Sequence, residues 1–189
     1  MRIGIYRNRI VRDLAWAIWS RPIIDVVWPP ASPFSTESLP ERPYLISDPS
    51  LWAPWSGVDG RYGEAEKWLT QLDADPAPRE RAVGPTRSGR RGVYFERLIQ
   101  FWLESRPQWT RVVADRAIHR DGRTVGQFDF LLQHPSGTWV HLEVAVKYYL
   151  QLGAATALNG WVGTDLVERM DEKLSHLLFH QIALGAAEE

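Results

Sequence analysis

Residues 126–150 read GQFDFLLQHPSGTWVHLEVAVKYYL, two alternating runs on either side of a Pro-Ser-Gly turn. Strand side chains point alternately to the two faces of a sheet. In the first run Phe128, Phe130 and Leu132 therefore share one side, and Gln127, Asp129, Leu131 and Gln133 the other. In the second run Val140, Leu142, Val144 and Val146 form an apolar face, opposite Trp139, His141, Glu143, Ala145 and Lys147. A three-residue loop, Pro135-Ser136-Gly137, with Gly137 in the left-handed position common to such loops, sets a register in which Asp129 lies directly across from Glu143. Opposed carboxylates have Cβ atoms about 4.5–5.5 Å apart and repel. Either they are solvated charges on an open sheet face, or the register differs by two residues, or a divalent cation with oxygen ligands offsets the repulsion.

The flanking sequence bears on that choice. Lys147 lies about 6.5–7 Å along the strand from Glu143, and an ammonium beside a metal can help activate water and stabilise a charged phosphoryl group. Upstream, Ser88-Gly89 opens a helix with an apolar stripe of Phe95, Leu98, Ile99, Trp102 and Leu103 that ends before Pro107. Glu96 stands at the edge of that stripe, either as a third carboxylate for the site or as a boundary residue paired with an arginine. Between Arg79 and Arg91 there are five arginines and one acidic residue. Arg87, Arg90 and Arg91 lead directly into the helix, and both arginines and helix N-termini favour phosphate oxygens. Trp109–His119 reads as a strand, Asp121-Gly122 as a hairpin turn, and Thr164–Ile182 as a final helix with Asp165 and Glu168 at capping-box spacing. From Gly89 onward the expected order is helix, three strands, helix.

The first half is less regular. Asn8–Trp19 carries apolar residues at helical spacing, residues 22–54 are rich in proline and tryptophan, and a short helix is expected around Glu64–Leu72. A packed N-terminal extension over 1–88 and a core over 89–189 are the expected organisation. The chain has 189 residues, 44% hydrophobic and 24% charged, and a net charge of -1, so nucleic-acid binding needs a local basic patch. It has no cysteine, which excludes thiolate metal sites and disulfides. The N-terminal apolar stretch is too short to span a bilayer, so a cytoplasmic protein without a membrane partner is expected. His176 and His180, one helical turn apart, lack the third protein ligand that catalytic zinc needs.

A strand of the form Gly-x-φ-Asp-φ, a turn, a strand with Glu near Lys, and a Glu-bearing helix before them resemble the PD-(D/E)XK nuclease superfamily. More narrowly, RNRIVRDLAWAI, GVYFERL, GQFDFLL, HLEVAVKYYL and WVGTDLVERMDEKLSHLLFHQIAL are similar to a bacterial domain-of-unknown-function family (number 1853) placed in that superfamily. The resemblance implies an α/β restriction-endonuclease-like core and a Mg²⁺- or Mn²⁺-dependent nuclease acting on nucleic acid. Asp129, Glu143 and Glu96 would then serve the metal, and Lys147 the nucleophile. The alternatives are a nuclease-fold binding or regulatory module without turnover, and a structural scaffold. Two departures stand out. Ala145 occupies the usual lysine position, two residues after the acid, and the superfamily's final core strand is expected either to be absent or to come from elsewhere.

Overall fold

The computed structural model describes residues 3–19, 61–75, 77, 91–152 and 158–181. The proline- and tryptophan-rich stretch and most of the basic loop, including Arg79, Arg81, Arg87 and Arg90, lie outside the described residues. The fold is mixed α/β, with helices and small antiparallel sheets, and falls into two compact units, Met1–Arg106 and Pro107–Glu189.

The first unit holds α1 (Arg9–Trp19), α2 (Arg61–Ala74) and α3 (Arg91–Glu104). Asn8 caps α1 by accepting the Ile10 N–H at 2.8 Å. The Asp73 carboxylate, from the end of α2, accepts the Arg7 and Asn8 amides at 2.9 and 2.8 Å. The apolar stripes are buried: Val11, Leu14 and Ile18 on α1, Leu69 on α2, and Leu98, Ile99, Trp102 and Leu103 on α3. Tyr94 ties α3 to α1 by donating to Asp13 Oδ2 at 2.8 Å. Burial first, and that hydrogen bond second, raise its phenol above the ordinary tyrosine range.

The second unit is built on a three-stranded antiparallel sheet of β1 (Arg111–Arg120), β2 (Arg123–Gln133) and β3 (Trp139–Leu142). Asp121 and Gly122 join β1 to β2 with φ of 52° and 74°, the two left-handed residues that a type I′ turn requires. A bulge between Ile118 and His119 then shifts the register by one residue. The loop from β2 to β3 is the three-residue one: the His134 N–H donates to Thr138 O at 2.9 Å, and Gly137 has φ 88°. Phe130 pairs with Leu142 and Gln133 with Trp139, and Phe130, Leu132, Val140 and Leu142 are buried on one face.

Two expectations about the second half are corrected. β3 ends at Leu142, not near Leu150, and a small second sheet follows, β4 (Tyr149–Gln151) against β5 (Trp161–Gly163). The final helix, α4 (Met170–His176), begins six residues later than the expected start at Thr164. Asp165 Oδ1 does accept the Val167 and Glu168 amides at 3.0 and 3.1 Å. Leu166 between them is left-handed at φ 60°, however, so the bonds close a turn rather than start a helix. Gly163 lies against that turn: a Cβ there would meet Asp165 Oδ1 at 3.1 Å and Glu168 Cβ at 3.2 Å. No helix among the described residues is long and apolar enough to cross a membrane.

Candidate functional site

Extending the β2–β3 register by one pair beyond Phe130 and Leu142 places Asp129 opposite Glu143. Each carboxylate reaches across to the other strand's backbone. The Asp129 N–H donates to Glu143 Oε1 at 3.3 Å, and the Val144 N–H donates to Asp129 Oδ2 at 2.9 Å. The Val144 amide, which the next rung of the ladder would have used, is thus taken by a side chain just where β3 ends. Hydrogen bonds to a charged group contribute about 1.5–3 kcal/mol each, and they offset part of the repulsion between the acids.

Glu143 is not a solvated surface charge. Its side chain is 4% exposed, and Oε1 is also 2.5 Å from His141 Nε2, whose own side chain is 12% exposed. The His141 ring packs edge-on to Phe128 with centroids 4.5 Å apart. Glu143 Oε2 is buried and finds no hydrogen-bond partner. A buried carboxylate oxygen without a partner is expensive, so this atom marks where a further donor or cation would be accommodated. From the sequence His141 reads as a residue of the polar strand face, equally a hydrogen-bonded one; its partner is Glu143, two residues along that face.

Asp115 was missed altogether. The pairs Ala114–Phe130 and Arg116–Phe128 bracket it, so it stands across from Asp129 and completes a row Asp115, Asp129, Glu143. Its backbone is left-handed at φ 54°, and its carboxylate accepts from Gln127 Nε2 at 3.4 Å. The sequence held no signal for this, because the turn alone implies a register one residue away, and only the bulge brings Asp115 opposite Asp129. Among the described residues, no group of three or more histidines and acids is arranged to hold a metal ion. Asp129 and Glu143 are two facing carboxylates, each bonded to a backbone amide of the opposite segment.

Lys147 lies in the irregular segment after β3, so strand alternation does not set its direction. Its Nζ donates to Glu168 Oε2 at 2.7 Å, and the Tyr149 hydroxyl donates to Glu168 Oε1 at 3.0 Å. Bonding to Lys147 holds the Glu168 carboxyl below its ordinary range, while burial and the Glu168 bond push the Tyr149 phenol up to about 12. Glu96 is half-buried on α3 of the first unit, and Arg91 is exposed at the start of the same helix. The His176 and His180 rings lie 4.8 Å apart, both residues exposed.

Residues 12–189 match the family described as "Domain of unknown function (DUF1853)", and the chain belongs to it. No curated protein and no solved structure matches the chain.

Proposed function

We propose, since membership of a family of unknown function hands down no activity, that the Asp129–Glu143 pair serves a divalent-cation-dependent phosphodiesterase acting on nucleic acid, of the PD-(D/E)XK type. The observation that carries this reading is the buried, unpartnered Oε2 of Glu143 beside Asp129 in facing register. Asp129 and Glu143 would hold Mg²⁺ or Mn²⁺, which when bound supplies an activated water and neutralises charge on a phosphoryl group. The surrounding bonds pre-set the oxygens. Val144 N–H fixes Asp129 Oδ2, while Asp129 N–H and His141 fix Glu143 Oε1, so Glu143 Oε2 is left available without a rotamer search. Lys147, whose Nζ donates to Glu168 Oε2, would supply the cation that attracts phosphate. Glu96 enters this reading only through the resemblance.

A second reading, a nuclease-fold binding module without turnover, is favoured by one observation: the Lys147 ammonium is bonded to Glu168. Two measurements separate the readings. Mg²⁺ or Mn²⁺ should raise the melting temperature of the wild type more than that of Asp129→Asn, because a ligand stabilises the state it binds. Metal-dependent cleavage of single-stranded, double-stranded or branched DNA or RNA should be abolished by Asp129→Asn and Glu143→Gln and reduced severely by Lys147→Ala. Metal stabilisation without cleavage establishes the binding module, and neither effect removes both.

A further inference from the structure

The register lines up Arg111, Gln133 and Trp139 as one row across β1, β2 and β3. The Arg111 guanidinium lies 6.0 Å from the Trp139 ring centroid, so the two side chains meet over the intervening strand on a single face. Trp139 is 46% exposed and Arg111 is exposed. An indole half in water forgoes the burial that usually places it, and the guanidinium beside it has no carboxylate in its row. Along β2, Gln133 is four residues from Asp129, about 13 Å at roughly 3.3 Å per residue. The even spacing puts both on one face. The Arg111–Trp139 row and the acidic row therefore share a face of the sheet, two rows apart.

We propose that Arg111 and Trp139 form a subsite for single-stranded nucleic acid, in which the indole stacks on a base and the guanidinium takes a phosphate oxygen. The proposal rests on the nucleic-acid reading above and gives its substrate class. Arginine and tryptophan together match the two chemistries of an unpaired nucleotide, an anionic phosphate and an open π-face. A duplex hides its base faces within the stack, so only an unpaired or frayed strand can offer one. At roughly 3.4 Å per stacked nucleotide, the 13 Å between the rows spans about four nucleotides.

The test is binding of a short labelled oligothymidylate, and of a blunt duplex of equal length, to the full chain in chelator, where no cleavage occurs. The wild type should prefer the single strand. Trp139→Ala should weaken that binding about tenfold, with Trp139→Phe closer to wild type because a ring remains. Arg111→Gln should lower the dependence on salt by about one ion, while Trp139→Ala leaves the salt slope unchanged. Both side chains are exposed, and unchanged melting temperatures will show that the variants fold. Unaltered binding in Trp139→Ala and Arg111→Gln, equal affinity for the duplex, or capture of a protein but no nucleic acid would overturn the subsite. Trp139-dependent binding without cleavage would remove the enzyme reading alone; cleavage with binding indifferent to Trp139 would remove the subsite alone.

Discussion

Glu143 and Glu168 are both carboxylates of the second unit that bond to a basic side chain, yet their surroundings differ in every other respect. Glu143 sits at the end of the three-stranded sheet, 4% exposed, bonded to His141 and the Asp129 amide through one oxygen, with the other left unpartnered. Glu168 sits beside the small sheet, 32% exposed, with Lys147 on one oxygen and Tyr149 on the other. Full satisfaction near water describes a fastening between chain segments, which contributes little net stability and needs nothing more. An unsatisfied acceptor in the interior is costly, and a bound water or an ion is among the partners that can meet the cost. The contrast separates a structural acid from a candidate functional one without reference to sequence motif.

The sharpest way to break this comparison is to ask whether the two sheets differ in stability as they do in burial. Phe130→Ala, in the core of the large sheet, should cost about 3–5 kcal/mol in denaturant unfolding. Leu150→Ala on β4, 52% exposed, should stay within about 0.5 kcal/mol. Comparable losses at both positions would mean that the small sheet belongs to the same cooperative core.

A smaller effect is expected at alkaline pH. The Tyr149 phenol is raised from 10.0 to about 12 by burial and then by Glu168, so the fold favours the neutral form. That contribution is complete below pH 10 and is lost as pH rises through about 12. Allowing for solvent screening, it is on the order of 1 kcal/mol. Tyr149→Phe should remove this part of the alkaline decline in stability; a decline identical to wild type would show that the Tyr149–Glu168 bond does not persist in solution.

The smallest effect belongs to the ion pair itself. Lys147 holds the Glu168 carboxyl below its ordinary range, so its stabilisation is present above the unfolded-state value near 4.5 and is lost as pH falls through the lower folded value. With both partners substantially exposed, Glu168→Gln should cost about 0.5 kcal/mol at neutral pH and low salt, and less in acid or high salt. A loss of several kcal/mol would make Glu168 a buried structural acid like those of a core network, and would erase its contrast with Glu143.

Much of the large hairpin was legible residue by residue. Alternation placed Phe130, Leu132, Val140 and Leu142 on the buried face, Pro135–Gly137 formed the three-residue loop with Gly137 left-handed, and Asp129 faced Glu143. The apolar stripe ending at Leu103 likewise became a helix. The segment after Glu143 was not legible, since the spacing that suggested a strand through Lys147 and a helix from Thr164 served other ends. Asp165 and Glu168 fit a capping box by type and separation, yet the same side-chain bonds close a turn when the residue between them is left-handed.

The sequence by itself determined what depends on neighbours a few residues apart: turn conformations at Asp121-Gly122 and Gly137, the period of the buried strand face, and the helices whose apolar residues recur every three or four positions. The tertiary structure alone decided the bulge that sets Asp115 across from Asp129, the bonds from the Asp129 and Val144 amides to the facing carboxylates, and the choice of Glu168 as the partner of Lys147, 21 residues away. In each of those cases several hydrogen-bond partners of similar strength compete. The winner is the one that packing brings within about 3 Å, a condition that no local spacing encodes.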